Sequence, residues 1–283
     1  MAGGTHVGAL CVAGGIWLAA AGCVQNPATG ERWPRLISTG EEITLGRQAA
    51  PQFESEFGGK LRDETVQQYV RQVGARLASG SERKDVPYEY ALLASDEPNA
   101  FALPGGKIYL TAGLMTRMAN ERQLAAALGH ETGHIAAGHN VQAIQRQMGT
   151  QIFADLAAAA MGSTAGEVTQ VAGEMVGAML GLRYSRQDEY QADQLGIRYM
   201  TKAGHNPYGI VELLEALQRE EKDQPGKLAG MFLTHPLTSD RIEEARKEIR
   251  KKHPGASPDA SDPRARPFQQ MRARVARALE TKR

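Results

Sequence analysis

Residues 130–134 read His-Glu-Thr-Gly-His, in a segment that Asn120 opens as an N-cap with Gln123 three positions on, the pattern of a capping box. On the helix this predicts, positions i and i+4 lie about 40° apart, so the imidazoles of His130 and His134 face one point. Two neutral imidazole nitrogens suit Zn²⁺, which takes four ligands at about 2.0–2.3 Å. Glu131 is rotated by about 100° and falls beside the ion, where a general base for a bound water belongs. Gly129, Gly133 and Gly138 surround the histidines. Each glycine costs a helix interior about 1 kcal/mol, so three of them point to close backbone approach or tight helix packing.

A catalytic ion needs a third protein ligand. His139 stands five residues after His134, about 140° round a continued helix, and takes a structural or supporting role. A cysteine ligand is closed off, because Cys11 falls in the segment we read as a cleaved leader and Cys23, the first residue after it, is expected to be consumed by lipidation. What remains is Glu189, in the run Ser-Arg-Gln-Asp-Glu-Tyr-Gln-Ala-Asp over 185–193. Glu189 and Asp193 share a helix face at i and i+4. Glu189 can reach the metal while Asp193 orients a ligand histidine through its ring N–H. Taken alone, the same residues also describe an ordinary exposed acidic helix.

The rest of the chain supplies context. The apolar, uncharged run 7–22 ends in Ala20-Ala21-Gly22-Cys23, similar to a bacterial lipobox. We read 1–22 as a lipoprotein-type signal peptide, Cys23 as the lipidated residue and 23–37 as a tether; Val24 after the cysteine leans towards the outer membrane. Thr39 reads as an N-cap for a helix ending before Pro51, and Asp63 opens a second helix with the stripe Val66, Tyr69, Val70, Val73 and Leu77. Residues 87–95 read as a strand and 99–111 as a hairpin around Pro104-Gly105-Gly106. The Ala-, Gly- and Met-rich segment 150–182 predicts two buried or cleft-lining helices. Further helices fall near 186–202 and 207–222, and 252–267 reads as a linker. A short basic amphipathic helix with Phe268, Met271, Val275 and Leu279 on its apolar face ends the chain. The sum is a mainly helical α+β architecture with a small antiparallel sheet beside the histidine helix. With 33 Lys+Arg against 32 Asp+Glu, the net charge of +1 argues against a nucleic-acid partner.

Four motifs in order now carry a resemblance: Asn99-Ala100-Phe101-Ala102-Leu103-Pro104-Gly105-Gly106, the HExxH of 130–134, the SRxxExxAD of 185–193, and Thr234-His235-Pro236 with Arg241 five residues after Pro236. Together, over about 38–250, they resemble the M48 family of zinc metallopeptidases. The resemblance implies a zincin-like (gluzincin) domain over 38–250, followed by 251–283 as linker and basic helix. It implies one Zn²⁺ held by His130, His134 and Glu189, Glu131 as catalytic base, Asp193 and Arg241 as supporting groups, and His235 close to the metal.

The expected chemistry is peptide hydrolysis by water activated through Glu131, with His235 stabilising the oxyanion. His235 could instead occupy the fourth metal position and hold the enzyme latent. The strand at Asn99, Ala100 and Phe101 offers an edge on which an extended substrate can pair. The expected substrates are unfolded or misassembled envelope proteins, met in the periplasm by a protein lipid-anchored to the membrane. The competing readings are a lipid-anchored holdase or assembly factor with a structural zinc, and a zinc hydrolase of cell-wall peptides.

Overall fold

The structure is a computed structural model describing residues 23–281 apart from 150, 151, 153, 154, 156–158, 160, 162–164 and 238. The expected signal peptide lies outside the described residues. Three apolar runs make a three-stranded sheet: β3 (Glu89–Leu93), β4 (Ala100–Leu103) and β5 (Lys107–Thr111). The central strand is β5. It pairs antiparallel with β4, giving the expected hairpin around Pro104–Gly106. With β3 it pairs parallel, Tyr90 opposite Ile108 and Leu92 opposite Leu110. The sheet is therefore mixed and not wholly antiparallel. Near-continuous apolar runs are the mark of strands covered on both faces, and here they are so covered.

Alternation along the strands divides the core in two. Tyr90, Leu92, Ala100, Ala102, Ile108 and Leu110 face one cluster, Leu93, Phe101, Leu103 and Tyr109 the other. On the first face lie α2 (Glu64–Ala78), α3 (Ala112–Arg117), α4 (Glu121–Ala137), α7 (Arg186–Lys202), α8 (Tyr208–Asp223) and α10 (Ser239–Lys252). On the second lie α1 (Thr39–Glu56), α5 (His139–Met148) and α6 (Ala165–Leu180). A one-turn helix, α9 (Ala229–Thr234), precedes His235. The last helix is α11 (Ala265–Glu280).

Some expectations give way to long-range packing. Ser38, not Thr39, caps α1, closing a capping box with Glu41. The helix then runs straight through Pro51. Proline inside a helix costs about 3 kcal/mol, but Leu45, Ala49 and Phe53 on this helix are fully buried and hold it. The segment read as a tether is instead a small hairpin, β1 (Cys23–Gln25) with β2 (Arg32–Pro34), docked on the body. The Asn26 side-chain amide donates to Ala136 O at 3.0 Å. Likewise 252–264 is tied down: Arg122 donates to Ala260 O and, through its backbone N–H, to Asp262. The apolar face of α11 is spent on the same body, with Phe268 and Val275 fully buried and Arg274 paired with Asp63.

The glycines flanking the histidines mark where α4 crosses α7. A Cβ on Gly133 would lie 2.8 Å from Ala192 O, and one on Gly196 would lie 3.1 Å from His130 N. A Cβ on Gly129 would meet Gly196 at 3.4 Å, an ordinary contact. Gly133→Ala should therefore force the helices apart and lower stability by about 1–3 kcal/mol. Gly129→Ala should leave the thermal midpoint unchanged or raise it, since alanine favours the helix. Equal midpoints for the two variants would refute this account of the crossing.

Candidate metal centre

The crossing sets four side chains around one point. His130 and His134 come from α4, Glu189 from the first turn of α7 and His235 from the residue after α9. All four are buried, and one donor atom from each lies within 4.8 Å of the others. His130 Nε2 and His134 Nε2 are 3.0 Å apart. His235 Nδ1 is 3.3 Å from His130 Nε2 and 3.1 Å from Glu189 Oε1, which is 3.3 Å from His134 Nε2. A tetrahedron with bonds of 2.0–2.1 Å has edges of about 3.4 Å, so the spacing suits one zinc ion.

The protons agree with that fit. Asp193 Oδ1 accepts from His130 Nδ1–H at 2.8 Å, and the nearest partner of His134 Nδ1 is His139 Nδ1 at 3.1 Å. With both Nδ1 atoms protonated, two Nε2 lone pairs and a carboxylate point at one another. A cation satisfies that arrangement. Burial, helped by His130, pushes the His134 imidazole well below its ordinary value, which keeps it neutral.

Local sequence explains each placement. Ser185 caps α7 in a reciprocal box with Asp188, which fixes where the helix starts and so where Glu189 points. Gly138, left-handed at φ 74°, ends α4 and turns the chain into α5. His139 is thus off the line of α4 yet returns beside His134, near the metal but outside the donor set.

Asp193 and Arg241 support the donors. Arg241 Nε and Nη2 donate to Asp193 at 2.9 and 2.8 Å, and Nη1 lies 2.5 Å from Glu189 Oε2. Burial acts to raise the Glu189 carboxyl, but Arg241, His235 and His130 outweigh it and hold it well below the usual range. Asp193 is likewise held low against burial by Arg241 and His130. Glu131 differs: burial pushes its carboxyl up, and its Oε2 has no hydrogen-bond partner among the described residues. Its other oxygen lies 3.6 Å from His235 Nε2. An idle, buried carboxylate oxygen beside the donor set is what a base for water needs.

Of the strand residues expected to meet substrate, Ala100 lines the cleft beside Glu131. Phe101 is not brought there. Alternation turns its ring to the other face of the sheet, against Phe53 and Phe57 at centroid distances of 5.0 and 4.6 Å. Asn99 is buried and pinned to Thr111, whose N–H donates to its carbonyl. By the same alternation the backbone groups of Ala100 and Ala102 face away from β5. Of these, the Ala100 N–H donates to Asn99 Oδ1, and Ala102 O accepts from Asn140 at 3.5 Å.

Sequence reasoning missed Tyr184. Its ring stacks on His134 at 3.8 Å, and its N–H donates to Thr234 O, bracing the residue before His235. Its only signal was its place immediately before the 185–193 motif. The cleft was also missed. It is a narrow, partly open cleft, with about 50 Å³ of cavity volume, between Glu131 and an apolar wall of Leu213, Leu214 and Leu217 from α8 with Met231 and Phe232 from α9.

A helix that brings two histidines and a buried glutamate to one point, met there by a carboxylate from a second helix, is an arrangement that fits a zinc metallopeptidase centre. The profile of Peptidase family M48 matches residues 64–249, so the chain belongs to that family of zinc metallopeptidases. It is 28% identical over 226 residues to the beta-barrel assembly-enhancing protease of Escherichia coli (strain K12), covering 77% of this chain and 46% of that protein. It is 30% identical over 208 residues to the mitochondrial metalloendopeptidase OMA1 of Schizosaccharomyces pombe, covering 73% and 60%. Against the metalloprotease LoiP of Escherichia coli (strain K12) it is 29% identical over 170 residues, covering 60% and 66%. The chain spans less than half the length of the beta-barrel assembly-enhancing proteases it matches.

Groups that orient metal ligands are worth about 10–100-fold in affinity. Asp193→Asn should therefore weaken zinc binding by that order, read by competition with a chelator. An unchanged affinity would mean that Asp193 does not orient His130.

Proposed function

We propose that this metallopeptidase is an endopeptidase for unfolded or misfolded envelope proteins. The observation that carries the reading is the apolar cleft opening beside Glu131. A wall of leucines, methionine and phenylalanine takes an apolar side chain, and such side chains are buried in folded proteins and exposed in unfolded ones. Of the outward backbone groups of β4, the Ala100 carbonyl and the Ala102 N–H offer pairing that is indifferent to sequence. That suits an extended substrate.

Bound zinc supplies Lewis acidity at the scissile carbonyl and towards water. Glu131 Oε2 takes a proton from the attacking water as the new C–O bond forms. It then returns that proton to the amine as the C–N bond breaks. Burial favours the protonated form of Glu131 and so eases the first transfer. His130 and Glu189 are held in place by Asp193 and Arg241 throughout.

His235 sits with its Nδ1 among the metal donors and its Nε2 towards Glu131. Catalytic zinc sites keep three protein ligands and an open fourth position. We therefore read this arrangement as a latent state in which His235 fills the fourth position, and not as an oxyanion donor in place. For location, the lipobox supports export, lipidation at Cys23 and an outer-membrane anchor on the periplasmic side. No described helix is long and apolar enough to cross a membrane. The printed names of the beta-barrel assembly-enhancing relatives make misassembled outer-membrane proteins reasonable substrates.

The test is digestion of an unfolded protein by the zinc-loaded enzyme. Glu131→Gln should keep one zinc per chain and lose at least about 10²-fold in rate. Zinc-loaded wild type and variant both failing to cleave, even with His235→Ala added to the wild type, would leave the holdase reading in its place. His235→Ala alone should raise the rate. A fall would assign His235 to the oxyanion, and an unchanged rate would remove it from both roles.

A further inference from the structure

His134 is supported differently from His130. Where His130 meets a carboxylate, His134 meets another histidine, and the contacts continue outward. His134 Nδ1 lies 3.1 Å from His139 Nδ1, His139 Nε2 lies 3.0 Å from Gln191 Oε1, and Gln191 Nε2 donates to Glu31 Oε1 at 2.6 Å. If His134 gives its Nε2 lone pair to the metal, its proton is on Nδ1 and is donated to His139 Nδ1. The proton of His139 is then on Nε2 and is donated to the Gln191 carbonyl oxygen, and the Gln191 amide donates to the Glu31 carboxylate. Every donor meets an acceptor, and the direction is the same at each step. The competing acceptor at His139 is Asp188 Oδ1, at 3.8 Å beyond hydrogen-bond distance; the other oxygen of that carboxylate accepts from the Ser185 N–H and Arg146.

Glu31 belongs to the turn of the N-terminal hairpin, eight residues after Cys23. Three further contacts seat that hairpin on the helices of the site. Asn26 donates to Ala136 O near the end of α4. The Trp33 ring covers Gly138, where a Cβ would lie 3.2 Å from it. Arg198 on α7 donates to Ala28 O at 3.1 Å.

We propose that the N-terminal hairpin is a working part of the metal centre: Glu31, through Gln191 and His139, orients His134 and tightens its hold on zinc. Aligned hydrogen bonds polarise one another, so the carboxylate at the surface raises the basicity of His134 as a directly bonded carboxylate would. Glu31, Gln191 and His139 are positioning residues, and none touches the reacting atoms. The segment that carries the candidate lipid anchor is thereby joined to the strength of metal binding. The inference rests on the assignment of His134 as a zinc ligand, and the experiment separates the two.

The experiment uses the full chain and compares wild type, Gln191→Leu, and the exchanged pair Gln191→Glu with Glu31→Gln. The exchange keeps an acceptor for His139 and a donor on the hairpin. Three quantities are read: zinc affinity by chelator competition, the d–d absorption spectrum of the cobalt-substituted protein, and the thermal midpoint of the metal-free protein. Gln191→Leu should weaken zinc binding about tenfold or more and shift the cobalt spectrum, with the metal-free midpoint unchanged. The exchanged pair should recover both affinity and spectrum. Zinc affinity within twofold of wild type in Gln191→Leu, with an unshifted cobalt spectrum, would overturn the relay and leave the ligand assignment standing. A loss that the exchanged pair does not recover, or one matched by a fall in the metal-free midpoint, would also overturn it. Failure of the wild type to bind zinc would overturn the ligand assignment and the relay together.

Discussion

Two helices touch at their backbones where Gly129 and Gly133 meet Gly196 and Ala192. The metal centre depends on that contact. Helices that carry full-sized side chains at a crossing keep their axes about 8–10 Å apart. With glycine at the crossing, α4 and α7 come close enough for Glu189, in the first turn of one, to share a point with His130 and His134 on the other. The first core cluster, which both helices enter, holds the pair in place. A residue lost from that cluster costs stability, but a methyl group added at Gly133 moves a ligand.

Charge is arranged on the same frame. Arg241 is buried, and its fork closes on Asp193 while its other nitrogen reaches Glu189. Burial works against its charge, but Asp193 and Glu189 more than offset this and hold the guanidinium protonated. One cation thus serves two carboxylates, Asp193 against the His130 imidazole and Glu189 within the group of residues able to hold a metal. Glu131 has no such partner at its Oε2. Arg241 thus holds Asp193 and Glu189 ionised, while burial favours the protonated form of Glu131.

The parts of this arrangement that sequence could reveal are those fixed by local spacing. The i, i+4 geometry of His130 and His134, the capping box that starts α7 at Ser185 and the Pro-Gly-Gly turn between β4 and β5 each need only a few neighbouring residues. What stayed hidden depends on partners far along the chain. Alternation shows that Ala100 and Phe101 face opposite ways, but with both faces of the sheet buried it does not say which face meets the cleft. Pro51 reads locally as a helix stop, because the Phe53 cluster that overrides it is assembled from distant segments. The residues 23–37 look like a tether by composition, and only Asn26 on Ala136 and Trp33 on Gly138 show otherwise. Tyr184 carries no motif of its own. The order of β3 beside β5 is a crossover that strand patterns do not encode.

X-ray absorption at the zinc edge of the loaded protein tests directly whether zinc sits between two imidazoles of α4, the Glu189 carboxylate of α7 and the imidazole of His235. The expected spectrum shows four nitrogen or oxygen neighbours at about 2.0–2.1 Å with outer-shell scattering from three imidazoles, falling to two in His235→Ala. A sulfur neighbour at about 2.3 Å, or a count of three imidazoles that survives His235→Ala, would contradict it.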